Sequence, residues 1–290
     1  MRYLTKEWYE LCQRTGLYFG KRVHSGAYTR DESLYSRLYA RKEKQYIKEQ
    51  RESYDYDPRS LLEQEGAKLV PARKLFGNEE IAEEDILIYH MPPEQKLEIE
   101  QRIADYDARP PFDLSSCRQK FKELHEWYCS DEADRLPEEL IKQIADIRVL
   151  ALGYCTKDTM QELKRLSEEN KIQMNAIGKQ YREAQQAEQI PDYIRERLHF
   201  HDCRVMEIHS EQDVIIRLDN EGEMTDMNQI TLVVPEIIQL DEHIVGSSWL
   251  YDELYRVNDG YELHVLFSGR EMPELIVRCE DIVVEERCIN

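Results

Sequence analysis

The chain is poor in the residues that punctuate or cross-link a fold. Eleven glycines and ten prolines in 290 residues exclude a collagen-like or Pro/Gly-rich low-complexity architecture. The seven cysteines, at 12, 117, 129, 155, 203, 279 and 288, never fall in a C-x-x-C spacing. Neither a disulfide framework nor a structural zinc site is therefore expected, and most of these cysteines read as small buried apolar residues. No apolar run approaches the roughly 18 residues of a membrane span. The opening MRYLTKEWYELC has no apolar stretch of signal-peptide length. These absences predict a soluble cytoplasmic protein that does not engage a membrane. G-x-S-x-G, H-E-x-x-H and a Gly-rich phosphate loop are missing too, so no cofactor is called for and an enzyme is not the favoured reading.

Lysine is missing from the last third: none follows Lys179. Residues 199–290 carry 21 acidic and 6 basic side chains, a net charge of −15, out of −20 for the whole chain. A surface of that sign repels phosphate and anionic lipid, which argues against direct nucleic-acid binding. Acidity has a plain explanation in solubility. Its sharper reading is attraction to a basic protein partner.

What is present is a chain with 41% hydrophobic and 34% charged residues, enough to build real cores. Thr5 is placed to cap a helix over 5–19, and apolar residues at helical spacing mark another over 31–52. Asp57-Pro58 opens a short helix. Residues 69–94 are broken by Pro71, Gly77-Asn78 and Pro92-Pro93. A helix from Pro93 to about Tyr106 follows. Asp113 caps the next, with Leu114, Cys117, Phe121, Leu124 and Tyr128 on one stripe. Pro137 opens a helix expected to run unbroken to a Gly153 cap. Thr156 opens the longest, to about Ala187, whose seam from Met160 to Ala184 has a polar middle. Beyond Pro191 the period changes from 3.6 to 2. Strands are expected at 203–209, 214–218, 231–234 with 237–240 (one strand broken or bulged at Pro235), 249–257, 261–267, 275–279 and 282–284, with an Asn258-Asp259-Gly260 hairpin turn. The alternation puts Trp249, Tyr251, Tyr255 and Val257 on one face. The reading is α+β: a multi-helix domain over 1–190, a linker open to proteases between 185 and 200, and a small acidic antiparallel β domain over 199–290.

Three segments taken together, YLTKEWYELC, IADIRVLALGY and WLYDELYRVNDGYELHVLF, resemble a bacterial family catalogued only as a domain of unknown function, over most of the chain. The C-terminal part is also similar in pattern to small β domains of bacterial toxin-immunity loci. These are structural signatures, so the resemblance implies no catalytic residues.

Chemistry has few candidates. In an extended stretch His199 and His201 point the same way, and with Asp202 they form the start of a metal site. Further ligands would have to come from elsewhere, such as His264. The plainer reading makes them caps and turn formers where helix meets strand. Glu196-x-x-His199 is a single copy of a motif that di-iron bundles need twice. Arg148 shares a helical stripe with Ile141, Ile144, Ala145 and Leu152. That placement reads as a structural ion pair ahead of an anion site. Trp249, Tyr251, Tyr255 and Tyr261 cluster on the hairpin, either as cross-strand packing or as anchors for a partner. The function expected is a non-enzymatic interaction module that binds a basic protein through residues 199–290, with an immunity-like role as one form of it. The alternative is a metal-dependent hydrolase built on His199, His201 and Asp202.

Overall fold

A computed structural model describes residues 1–70, 86–269 and 271–287. Pro71 and Gly77-Asn78 lie outside the described residues. By packing, the chain forms two compact units, residues 1–20 with 158–290 and residues 21–157. The periodicity-based division at 190–199 marks where helix gives way to strand. Compactness instead groups the longest helix with the strands it covers.

The architecture is α+β, with helices preceding antiparallel sheets. It begins with helix α1 (Lys6–Gln13), whose Thr5 hydroxyl accepts the Trp8 N–H. In the second unit, β1 (Arg22–Val23) leads through a 3₁₀ turn (Ser25–Tyr28) to α2 (Glu32–Asp55). Another 3₁₀ turn (Pro58–Gln64) precedes β2 (Lys68–Leu69), β3 (Leu87–Ile88), α3 (Pro93–Ala108) and α4 (Leu114–Arg135). Asp31, Asp57 and Asp113 each accept backbone N–H bonds at the start of the turn they precede, where a carboxylate also suits the helix dipole. The core of this unit joins Leu34, Leu38, Phe121, Val149, Leu152 and Tyr154.

The helix expected to run unbroken from Pro137 is two helices, α5 (Glu138–Ile141) and α6 (Ile147–Ala151). The break is at Asp146. Its side chain accepts the Arg148 N–H as an N-cap, and an aspartate that can bond its own backbone competes with helix continuation. Gly153, at φ 86°, ends α6 in the left-handed conformation expected of it. β4 (Tyr154–Cys155) then pairs in parallel with β1.

Among the described residues the first unit contains α7 (Lys157–Ala187) from Asp158 on, the short α8 (Asp192–Arg195) and eight strands. The polar middle of the α7 seam holds the N-terminal segment of the same unit. Ser167 Oγ accepts from Leu17 N at 3.0 Å, Asn170 donates to the Arg14 carbonyl at 2.9 Å, and the Met174 carbonyl accepts from the Trp8 indole at 3.3 Å. The strands are β5 (Arg204–Ser210), β6 (Val214–Asp219), β7 (Gln229–Val233) and β8 (Glu236–Leu240). They continue with β9 (Trp249–Val257), β10 (Gly260–Phe267), β11 (Glu274–Cys279) and β12 (Asp281–Glu285). They form two four-stranded antiparallel sheets, ordered β12-β7-β6-β5 and β8-β11-β10-β9. A single core holds Val214, Ile216, Ile230 and Leu232 of the first with Leu263, Val265, Phe267 and Leu275 of the second.

At Pro235 the run 231–240 is broken and not bulged, since β7 and β8 belong to different sheets. The chain crosses between them at Val234-Pro235. Val234 stands at φ 49°, and Pro235 has no N–H to continue a ladder. Segment 185–200 is not an open linker, because Ile190, Ile194 and Leu198 are buried in the sheet core.

Candidate functional site

The hairpin register decides where the predicted residues fall. Val257 pairs with Gly260, so Tyr255 faces Glu262 and Glu253 faces His264. Phe267 pairs with Trp249 while Leu266 pairs with Tyr251, so Leu250 is an extra residue in β9. That bulge moves Trp249 to the opposite face from Tyr251 and Tyr255. Strict alternation placed all three together.

Trp249 is wholly buried, and Tyr255 and Tyr261 nearly so. Trp249 packs edge-on against Phe200 and Phe267, and its indole N–H donates to Asp252 Oδ1 at 3.1 Å. Tyr261 belongs to the sheet core. Tyr255 donates to Glu253 Oε2 at 2.8 Å. Tyr251 is half-buried, with its ring 5.2 Å from that of Trp8. These four rings pack within the unit and form no exposed aromatic patch.

The face of β9 and β10 that carries Tyr255, opposite Trp249, holds a cluster that linear reading missed. Glu253 accepts the backbone N–H groups of Arg2, Tyr3 and Leu4 at 2.7, 2.7 and 2.6 Å. Glu262 bonds His264 Nε2 at 2.9 Å, Arg278 Nε at 2.8 Å and the Arg2 guanidinium at 2.6 Å. Burial alone would raise the Glu262 carboxyl. The hydrogen bonds from His264, Arg278 and Arg2 outweigh it and hold the group down at about 2. Burial pushes the His264 imidazole below its usual range, against the pull of Glu262. Its Nδ1 lies 4.0 Å from Glu253 Oε2, with no hydrogen bond. The cluster fastens residues 2–4 to the sheet. The signal for it was the hairpin turn itself: counting back from Asn258-Asp259 pairs Glu253 with His264 and Tyr255 with Glu262.

His201 and Asp202 are exposed and pair with each other, Nδ1 to Oδ2 at 2.9 Å. Asp202 stands at φ 69°, a turn position that aspartate tolerates. His199 instead lines a cavity beside α7 and β9. Among the described residues no group of three His, Cys, Asp or Glu is placed to hold a metal ion. Arg148 joins α6 to α2: its guanidinium meets Asp146 at 2.7 Å and Glu32 at 2.6 Å and lies 4.2 Å over the Tyr35 ring.

Sheet edges are where this unit meets its surroundings. The edge of β9 is covered by α7 and the turn after it: Tyr181 donates to the Asp252 carbonyl, Gln185 accepts from Leu254 N, and Glu188 accepts from Arg256 N. The first half of β5 pairs with residues 246–247. Arg197 reaches the Val284 carbonyl on β12. β8 is different. It pairs with β11 on one side, and among the described residues no hydrogen bond reaches its other side. Ile237, Ile238 and Leu240 are 40, 47 and 46% exposed. The exposed acids Glu236, Asp241 and Glu242 flank them.

Among the described residues no helix is long and apolar enough to cross a membrane. Comparison with curated proteins and with solved structures gives no match. Comparison with protein families gives one over residues 91–277, to the family described as protein of unknown function (DUF4085). The segments IADIRVLALGY and WLYDELYRVNDGYELHVLF fall inside that span, and YLTKEWYELC lies outside it, so the likeness is narrower than the whole chain. By a match over more than half its length, the chain belongs to this DUF4085 family.

Proposed function

We propose that this protein is an interaction module whose acidic β region binds a basic protein segment, with β8 as the docking edge. The observation that carries the reading is the open side of β8, where three exposed apolar side chains stand among acids within a region of net charge −15. An extended chain added to a free edge gains main-chain hydrogen bonds, and alternate side chains set its specificity. Lysines or arginines on that chain would meet Glu236, Asp241 and Glu242. The bulge in β8 at Ile238 shortens the regular ladder, which suits a short docked segment and disfavours stacking of one copy's edge on another. Burial of Trp249 moves the anchoring role from the hairpin to Ile237, Ile238 and Leu240. An inhibitory or immunity-like role, in which a basic partner is sequestered, fits the same surface.

Calorimetric titration of the full chain with an alternating lysine–valine peptide tests this. Binding is expected, weakening as salt shortens the screening length to about 8 Å. Ile238→Lys, an exposed change, should abolish it, and a glutamate–valine peptide should not bind. Equal binding of the lysine peptide by Ile238→Lys would rule out the β8 edge.

A further inference from the structure

A cavity of about 210 Å³ lies within the first unit, between the C-terminal end of α7, the turn around α8 and β9. Its apolar wall is Ile190, Leu198 and Leu254. Its polar wall carries opposite charges. Asp252 Oδ1 accepts from the Trp249 indole N–H, and the carboxylate has no ion pair among the described residues. Arg195 donates through one nitrogen to the carbonyls of Gln185 and Glu188, and it too has no carboxylate partner among the described residues. Its guanidinium keeps further donors. Gln185 uses its side-chain oxygen to accept from Leu254 N at 3.3 Å. Its Nε2 is buried and has no partner. A buried donor left unpaired is costly, and a carboxyl and a guanidinium on one cavity wall without mutual pairing are unusual in so compact a unit.

We propose that this cavity binds a free apolar α-amino acid. Its ammonium would sit on Asp252, its carboxylate on Arg195 and Gln185 Nε2, and its side chain against Ile190, Leu198 and Leu254. Such a zwitterion neutralises both charges at once and supplies the acceptor that Gln185 lacks. Burial pushes the Asp252 carboxyl up to about 6, with neighbouring Glu253, against the Trp249 hydrogen bond and the pull of His201. An ammonium beside it would reverse that shift.

The test is calorimetric titration of the full chain with L-leucine, L-valine and L-methionine, and with two truncated probes. Isopentylamine lacks the carboxylate of leucine, and 4-methylpentanoate lacks its ammonium. At least one amino acid should bind saturably. Each truncated probe should bind about ten- to a hundredfold more weakly than leucine, as loss of a charged hydrogen bond requires. Asp252→Asn keeps the side chain's shape and should weaken leucine by a similar factor without weakening 4-methylpentanoate, which has no ammonium to lose a partner. Circular dichroism establishes that the variant is folded. If that variant fails to fold, the two truncated probes on the unaltered chain decide the matter. A pocket filled only by water gives no saturable binding of any of the three amino acids, which overturns the proposal. Isopentylamine binding as tightly as leucine overturns it too.

Discussion

Single side chains in this protein are governed by whether burial is matched by a partner. Glu262 is the clearest case, because three donors outweigh its desolvation and depress its pKa. A carboxyl whose folded pKa lies below its unfolded one adds stability above the unfolded value and loses it as pH falls towards the folded value. The unfolded state binds the extra proton between about pH 4.5 and about 2, so stability drops across that window. Melting curves should show Glu262→Gln with a flatter acid limb there than the unaltered protein, and parallel limbs would mean the depression is not real. Arg148 is the second case. Asp146 is almost buried and its carboxyl is held below the usual range: burial opposes this, and the Arg148 hydrogen bonds decide it. Arg148→Ala would strand that carboxylate and should cost about 3 kcal/mol in urea unfolding. Glu32→Ala removes only the exposed partner and should cost less than about 1 kcal/mol.

At the scale of elements, the sequence made legible whatever local chemistry decides. Thr5, Asp57 and Asp113 announce the turns they cap, and Asn258-Asp259 announces the hairpin. Decisions made by competition or by distant pairing were not legible. Asp146 looks like a helix-interior residue until its side chain is seen bonding its own backbone. The bulge at Leu250 is set by the pairing of β9 with β10, and it reverses which aromatic rings reach the core. The contacts that crowd Gly260 are equally distant: a Cβ there would sit 2.1 Å from the Cys279 carbonyl oxygen. Gly260→Ala therefore forces the start of β10 away from the end of β11. It should cost about 3 kcal/mol or more by the same unfolding measurement, and a neutral effect would show that the two backbones are not in contact.

For the molecule as a whole, the change of period at Pro191 marked the onset of the sheets but carried no information on packing. Ile190, Ile194 and Leu198 sit in the sheet core, so trypsin should leave Arg195 and Arg197 uncut in the native chain. Early cleavage there, read by mass spectrometry, would mean that this segment is a free linker after all. The charge asymmetry was fully visible in the sequence. The edge proposed to use it was not, because which strand keeps an open edge depends on what α7, residues 246–247 and Arg197 cover. Hydrogen exchange on the full chain, with and without the lysine–valine peptide, addresses that surface most directly. Slowed exchange is expected, concentrated in the backbone of residues 236–240. Unchanged exchange in β8 while the peptide binds elsewhere would contradict docking there.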